Sequence, residues 1–157
     1  MGARRHGGFT LIEMLVVVTI VGILAAAAFP VAEFSVRRSR ELELRQALRT
    51  LRIAIDEYKH AADAGKIDVA ADASGYPPSL DVLVEGVADK STAGRRIYFL
   101  RRIPRDPFAE ATLPPARSWG LRSYESPPDA PAPGRDVYDV RSQSTATAID
   151  GSRLRDW

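Results

Sequence analysis

Glu13 is the residue whose surroundings most restrict what this chain can do. It is the only charged side chain between Phe9 and Phe29, where every other residue except Thr10 and Thr19 is apolar or small. An ionised carboxylate in hydrocarbon costs at least ~2.5 kcal/mol, so such a residue is rarely kept without a partner. Glu13 is therefore predicted to form an ion pair with a cation, within one chain or between two.

The apolar run that contains Glu13 has the length of a membrane-crossing helix. From Phe9 to Phe29 an α-helix rises about 30 Å, which is the thickness of a bilayer's hydrocarbon core. Gly22 weakens this helix, and Pro30 removes a backbone hydrogen bond and kinks it. Residues 9–30 are thus predicted to be a hydrophobic helix that enters a membrane.

Beyond Pro30 the apolar residues follow an amphipathic helical spacing. They recur four, three, four, three and four positions apart, which places them on one face of a helix, and charged residues occupy its other sides. The pattern predicts that the helix continues over residues 31–64 and stops near Gly65. The residues of this apolar stripe are Leu44, Leu48, Leu51, Ile55, Tyr58 and Ala62.

Turn residues dominate residues 65–157, which are predicted to form one small globular domain. A short helix capped by Ser79 is predicted near residues 79–84. Short strands are predicted at 97–100, 121–124 and 137–141, with a weaker one at 147–149. Because a few short strands need a partner to bury their apolar face, the long helix is predicted to pack on them. The fold class is α+β, with a long N-terminal helix on a small antiparallel sheet.

The segment around Glu13 resembles a known processing signal. Gly8-Phe9-Thr10-Leu11-Ile12-Glu13, after a short basic leader, resembles the class III signal of type IV pilins and type II secretion pseudopilins. The resemblance implies that a membrane-embedded prepilin peptidase cuts after Gly8, removes residues 1–8 and methylates the new amine at Phe9. That amine is then the implied partner of Glu13, within a subunit or between neighbouring subunits.

The second half resembles the major pseudopilin of type II secretion. The resemblance is carried by Tyr76-Pro77, by Tyr98-Phe99-Leu100 and by an Asp-Pro-aromatic turn at Asp106-Pro107-Phe108. It extends to the segments at 119–124, 136–142 and 149–157. Together with the leader, it covers nearly the whole chain and implies a pilin-like fold.

The resemblance implies a structural role in protein transport. The subunit is expected in the inner membrane as a single-pass protein, with its C-terminal domain in the periplasm, until it polymerises into a periplasmic filament. Implied partners are copies of itself, minor pseudopilins, the prepilin peptidase, membrane lipid and an inner-membrane assembly platform. By resemblance, the segment from Gly22 to Pro30 unwinds during assembly; the alternative is a whole helix with a gentle kink.

The same family usually binds calcium in a loop near its C-terminus. Calcium requires six to eight oxygen ligands, whereas residues 142–150 contain one carboxylate, Asp150. Asp136, Asp139 and Asp156 flank the loop. The ligand chemistry favours a metal-free loop held by hydrogen bonds, with Asp150 as the candidate ligand if calcium does bind.

Composition argues against several other functions. Without the leader, and hence without Arg4 and Arg5, the chain has 20 basic and 20 acidic side chains, so no basic excess indicates nucleic-acid binding. There is no cysteine, which excludes disulfides and thiolate chemistry. His60 lies on a charged stretch of helix and is predicted to be solvated surface, and no nucleophile motif or phosphate loop accompanies it. The chain is predicted not to be an enzyme.

Four alternatives remain open from the sequence. In the first, the N-terminal helix is a plain membrane anchor and Glu13 has no role. In the second, the N-terminal segment is an ordinary secretory peptide that is cut after Ala28. The chain is a type IV pilus subunit for adhesion, motility or DNA uptake, which shares the leader. Less consistent with the leader is a membrane-anchored periplasmic binding module.

Overall fold

The longest element of the structure is an N-terminal helix. The computed structural model describes residues 9–157, except for the side chains of residues 27–31. Helix α1 spans Leu11–Asp63 without a break, so Gly22 and Pro30 both lie inside a continuous helix. The chain forms two compact units that divide between Ser39 and Arg40, within α1.

In the N-terminal unit, the side chains of α1 that the structure describes are exposed. Leu11 is 86% exposed and Leu24 is 64% exposed. We call residues 11–26 of this helix the stem. In the part of the chain that the structure describes, no helix combines the length and apolar character needed to cross a membrane.

In the C-terminal unit, α1 buries the predicted apolar stripe. Leu44 and Leu51 are fully buried, Leu48, Ile55 and Tyr58 are buried, and Ala62 packs partly buried against them. The helix ends at Asp63, and Gly65 follows with φ of +65°. The Gly65 and Lys66 N–H groups donate to the carbonyls of Ala62 and Ala61, both at 2.9 Å, which closes the last turn. The predicted apolar stripe and the predicted end of the helix near Gly65 are confirmed.

A short helix and a strand pair follow α1. Helix α2 spans Leu80–Glu85, and strands β1, Val87–Ala88, and β2, Arg96–Ile97, pair antiparallel with Val87 opposite Ile97. Ser79 is the N-cap residue of α2 as predicted, but its side chain makes no capping hydrogen bond.

The predicted strand at 97–100 is too long. The N–H groups of Phe99 and Leu100 both donate to the Leu83 carbonyl in α2, at 3.0 and 2.9 Å, and so leave the strand pair.

The second strand pair closes the fold. A 3₁₀ turn at Pro115–Ser118 leads into β3, Trp119–Arg122, which pairs antiparallel with β4, Asp139–Ser142. Trp119 lies opposite Ser142, and Arg122 lies opposite Asp139. The predicted strands at 121–124 and 137–141 are thus shifted by one or two residues. The one predicted at 147–149 is reduced to a single bridge between Thr147 and Arg153. A 3₁₀ turn at Leu154–Asp156 follows.

The core lies between α1 and the small strand pairs. Buried residues from α2, β3, β4 and the C-terminal turn join the α1 stripe in one cluster. The predicted α+β fold is confirmed, with two separate two-stranded sheets in place of one. Outside α1, the members of this cluster are Ile67, Leu80, Leu83, Leu100, Trp119, Val137, Val140, Ala148 and Leu154.

Candidate functional site

The start of α1 holds the residues that the sequence singled out for processing and assembly. Gly8 lies outside the described residues, as does the rest of the leader 1–8. Phe9 is 71% exposed and immediately precedes Thr10. The Thr10 hydroxyl accepts a hydrogen bond from the Glu13 N–H at 3.3 Å, which caps the helix. Thr10 and Glu13 have the Thr-x-x-Glu spacing of a capping box, which is the sequence signal for this cap.

Glu13 lies in the first turn of α1, and among the described residues it forms no ion pair. A carboxylate is favourable there, because the unpaired N–H groups give the helix N-terminus a partial positive charge. Phe9 lies four residues earlier, which is the separation of one helical turn. The arrangement can therefore accommodate a charged amine near the Glu13 carboxylate.

Gly22 and Pro30 do not disrupt the helix in this subunit. Gly22 faces open space, since a Cβ added at this residue would meet no atom within 4 Å apart from its chain neighbours and the adjacent backbone of its own helix. Nearby, the Thr19 hydroxyl donates to the Leu15 carbonyl at 2.7 Å, so this polar side chain is satisfied within the helix. Of the two expectations for 22–30, the continuous helix is what the subunit adopts; unwinding in an assembly stays a prediction.

Asp150, the candidate calcium ligand, has both carboxylate oxygens engaged. Oδ1 accepts from the N–H and hydroxyl of Ser152 at 3.0 and 2.6 Å. Oδ2 accepts from Arg45 of α1 at 3.0 Å. The Ser152 hydrogen bonds, followed by the charge of Arg45, hold the pKa of Asp150 below its ordinary value.

The flanking carboxylates do not converge on Asp150. Asp139 pairs with Arg52 at 2.8 Å, and Asp156 pairs with Arg153 at 3.1 Å. Asp136 accepts from the Ser74 hydroxyl and from the Tyr124 N–H. Nowhere in residues 9–157, as described, do three His, Cys, Asp or Glu side chains form a group that could hold a metal. The donor set of this loop does not fit calcium, which needs several more free oxygens.

Sequence reasoning missed the role of Glu41. This residue is 7% exposed, and its carboxylate accepts the Ile149 N–H at 2.8 Å, across 108 residues of sequence. The one available signal was its place one turn before Arg45 on the helix, which does not identify a partner so distant in the chain.

The sequence motif at Asp106 predicts only a turn. Asp106 does form the turn, since its Oδ1 accepts the Phe108 N–H at 2.8 Å. It is also fully buried, and its Oδ2 accepts the Ser142 hydroxyl of β4 at 2.6 Å. The Asp-Pro-aromatic motif is thus a buried polar link between a loop and the sheet.

His60 is exposed near the end of α1, as expected of a solvated surface residue. Glu43 is exposed two positions after the buried Glu41, so the two acids do not share one environment.

Comparisons with known proteins agree with this geometry. Residues 3–29 match the prokaryotic N-terminal methylation motif. The chain is 30% identical over 113 residues to type II secretion system core protein G of Aeromonas hydrophila, a match that covers 69% of this chain and 71% of the relative. This chain belongs to the type II secretion system core protein G family. The corresponding protein of Pseudomonas aeruginosa is 29% identical over 114 residues, with 69% of this chain and 72% of that relative covered.

Membership confirms the resemblance inferred from the leader and from the second half. The methylation motif includes Gly8, Phe9, Glu13 and Gly22, whereas Pro30 lies one residue beyond it. No solved structure shows significant similarity to the chain. The roles of individual residues therefore rest on this protein's own contacts.

Proposed function

We propose that this protein is a structural pseudopilin subunit of a type II secretion system. The leader 1–8 is removed after Gly8 by a prepilin peptidase, and the amine of Phe9 is methylated. Residues 9–30 then hold the subunit in the inner membrane with residues 31–64 and the 65–157 domain in the periplasm. Copies of the subunit leave the lipid and polymerise into a periplasmic pseudopilus that drives secretion across the outer membrane.

The observation that carries this proposal is the exposed stem of α1. Its apolar side chains have no cover in the subunit, and burial of apolar surface is favourable by about 25 cal/mol per Å². Because the stem is apolar on all sides, it needs an apolar environment all round, which lipid or a bundle of identical stems provides. The family membership supports a bundle of identical stems as the working state.

In this proposal, Glu13 sets the register, which is the axial position of each subunit relative to its neighbour in the filament. Within a bundle of apolar stems the only available charges near this level are Glu13 and the processed amine of Phe9. Apolar surroundings make their separation costly, so Glu13 of an incoming subunit pairs with Phe9 of its neighbour. Minor pseudopilins and an inner-membrane assembly platform complete the machinery, and the subunit itself contributes no catalysis.

Mass spectrometry of the membrane-extracted protein tests the processing step. We expect a chain that begins with N-methylated Phe9. As a control, replacement of Gly8 by valine should leave uncut precursor in the membrane. A chain that retains Met1, or one that begins at Phe29, would overturn the proposal.

A second experiment tests the register. Glu13→Ala should be processed and inserted normally but fail to form filaments, because the Phe9 amine loses its partner. Glu33→Ala is the matched control, since Glu33 is an exposed acid further along α1. Normal secretion by the Glu13 variant would contradict the pairing.

A further inference from the structure

The C-terminal loop is attached to α1 at two consecutive residues. The Glu41 carboxylate accepts the Ile149 N–H at 2.8 Å, and Arg45 donates to the Asp150 carboxylate at 3.0 Å. Glu41 and Arg45 are four positions apart, so one face of a single helical turn presents both groups. We call the four residues Glu41, Arg45, Ile149 and Asp150 the latch.

Trp157 extends the latch on the other side of Arg45. The Arg45 guanidinium carbon lies 4.2 Å from the centre of the Trp157 ring, which is cation–π contact. The indole N–H of Trp157 donates to the Ser152 hydroxyl at 2.7 Å, and that hydroxyl donates to Asp150. The Arg45 guanidinium therefore contacts both Asp150 and the Trp157 ring, which is itself hydrogen-bonded to the same loop.

The latch supplies the interactions that a bound cation would supply. A metal ion in a loop neutralises its carboxylate and ties separate segments together. Here Arg45 brings a permanent positive charge to Asp150, and the planar donors of arginine suit a carboxylate. The other Asp150 oxygen is occupied by two donors from Ser152, so few free oxygens remain for a metal.

We propose that Arg45, with Glu41, takes the place of a metal ion in holding the C-terminal loop, so that this subunit folds independently of calcium. Arg45 has a positioning role toward residues 149–152, whether or not the chain polymerises.

Thermal unfolding of the full chain in detergent tests the proposal. Addition of millimolar calcium chloride, or of EDTA, should leave the Tm unchanged. Limited proteolysis, with cut sites mapped by mass spectrometry, should show that the loop 142–153 is protected to the same extent with calcium chloride and with EDTA. A rise in Tm with calcium, or a fall with EDTA, would overturn the proposal.

Two arginine variants isolate the latch from general helix effects. Arg45→Ala should raise the rate of cleavage in the loop about fivefold, the factor expected from losing a modest local interaction. Arg49→Ala is the matched control, because Arg49 is an exposed residue one turn further along α1 that forms no ion pair among the described residues. Equal cleavage of the loop in the two variants would refute the role of Arg45.

If Arg45→Ala is too unstable to purify, two variants of Glu41 test the latch instead. Glu41→Gln keeps an acceptor for the Ile149 N–H and should protect the loop nearly as well as the natural residue. Glu41→Ala removes the acceptor of that N–H and should expose the loop. Loop protection that is the same in both Glu41 variants would also count against the latch.

Discussion

The two halves of α1 are built from similar apolar residues in the same secondary structure, yet their environments are opposite. Leu11 and Leu24 of the stem are mostly exposed, whereas Leu44 and Leu51 are fully buried under the strand pairs. The stem is apolar on all sides. The later half is apolar on a single stripe and charged elsewhere, which is the pattern of a helix that packs on one surface.

The difference shows where each half obtains its stability. The stripe is covered by residues of its own chain, so its contribution belongs to the folding of the subunit. The stem has no such cover in the described structure, and its apolar surface is available for lipid or for other stems. Substitutions in the two halves should therefore separate folding from assembly, with effects that range from several kcal/mol down to a small pH dependence.

The largest contrast is between Leu51 and Leu15. Leu51→Ala removes a fully buried side chain and should lower the free energy of unfolding by about 2–5 kcal/mol. Leu15→Ala removes an exposed one and should leave unfolding of the C-terminal unit unchanged while weakening assembly. Chemical denaturation of both variants measures the first effect, and filament yield measures the second. A stability loss of the same size in both variants would abolish the distinction.

The two acids Asp106 and Glu13 provide the next contrast. Asp106→Ala leaves the Ser142 hydroxyl and the Phe108 N–H without their acceptor in a buried site and should cost about 1–3 kcal/mol of stability. Glu13→Ala, in the stem, should not change the denaturation midpoint of the domain. If the Asp106 variant unfolds like the unmodified chain, the buried link is not needed for the fold.

Two glycines should respond to alanine with opposite signs. Gly22 lies in the helix with open space around it, so Gly22→Ala should stabilise the stem helix by about 1 kcal/mol. Gly65 has φ of +65°, so Gly65→Ala should cost about 1–2 kcal/mol at the helix end. Circular dichroism follows the first change and thermal unfolding the second. If unwinding of 22–30 accompanies assembly, Gly22→Ala should also slow filament growth.

The smallest effect is a pH dependence confined to the loop. The pKa of Asp150 is lowered in the folded chain, so its ionised form stabilises the fold above the ordinary aspartate value, and this contribution is lost as the pH falls through the folded pKa. By NMR, the amide signal of Ser152 should report a titration midpoint for Asp150 below the ordinary aspartate pKa. Ser152→Ala should raise this midpoint more than Arg45→Ala, because the hydrogen bond from the Ser152 hydroxyl is the largest single cause of the lowered pKa. The reverse order would show that the ion pair dominates.

Much of the architecture could be predicted because it depends on local spacing. The stripe of α1, the stop at Gly65 and the α+β class follow from helical periodicity and from the positions of turn residues. The strands were located only to within a few residues. Hydrogen bonds from Phe99 and Leu100 to α2 override the strand pattern at 97–100, and nothing in that segment indicates them.

The candidate sites show the same division. The apolar run with its single acid and the Gly8-Phe9 leader are properties of neighbouring residues, so the amino-acid sequence alone determined the family and the apolar character of the stem. Tertiary structure decided the partners of Glu41, Arg45 and Asp106. These partners lie 108, 105 and 36 residues away along the chain, and only the folded path of the backbone brings such distant polar groups together.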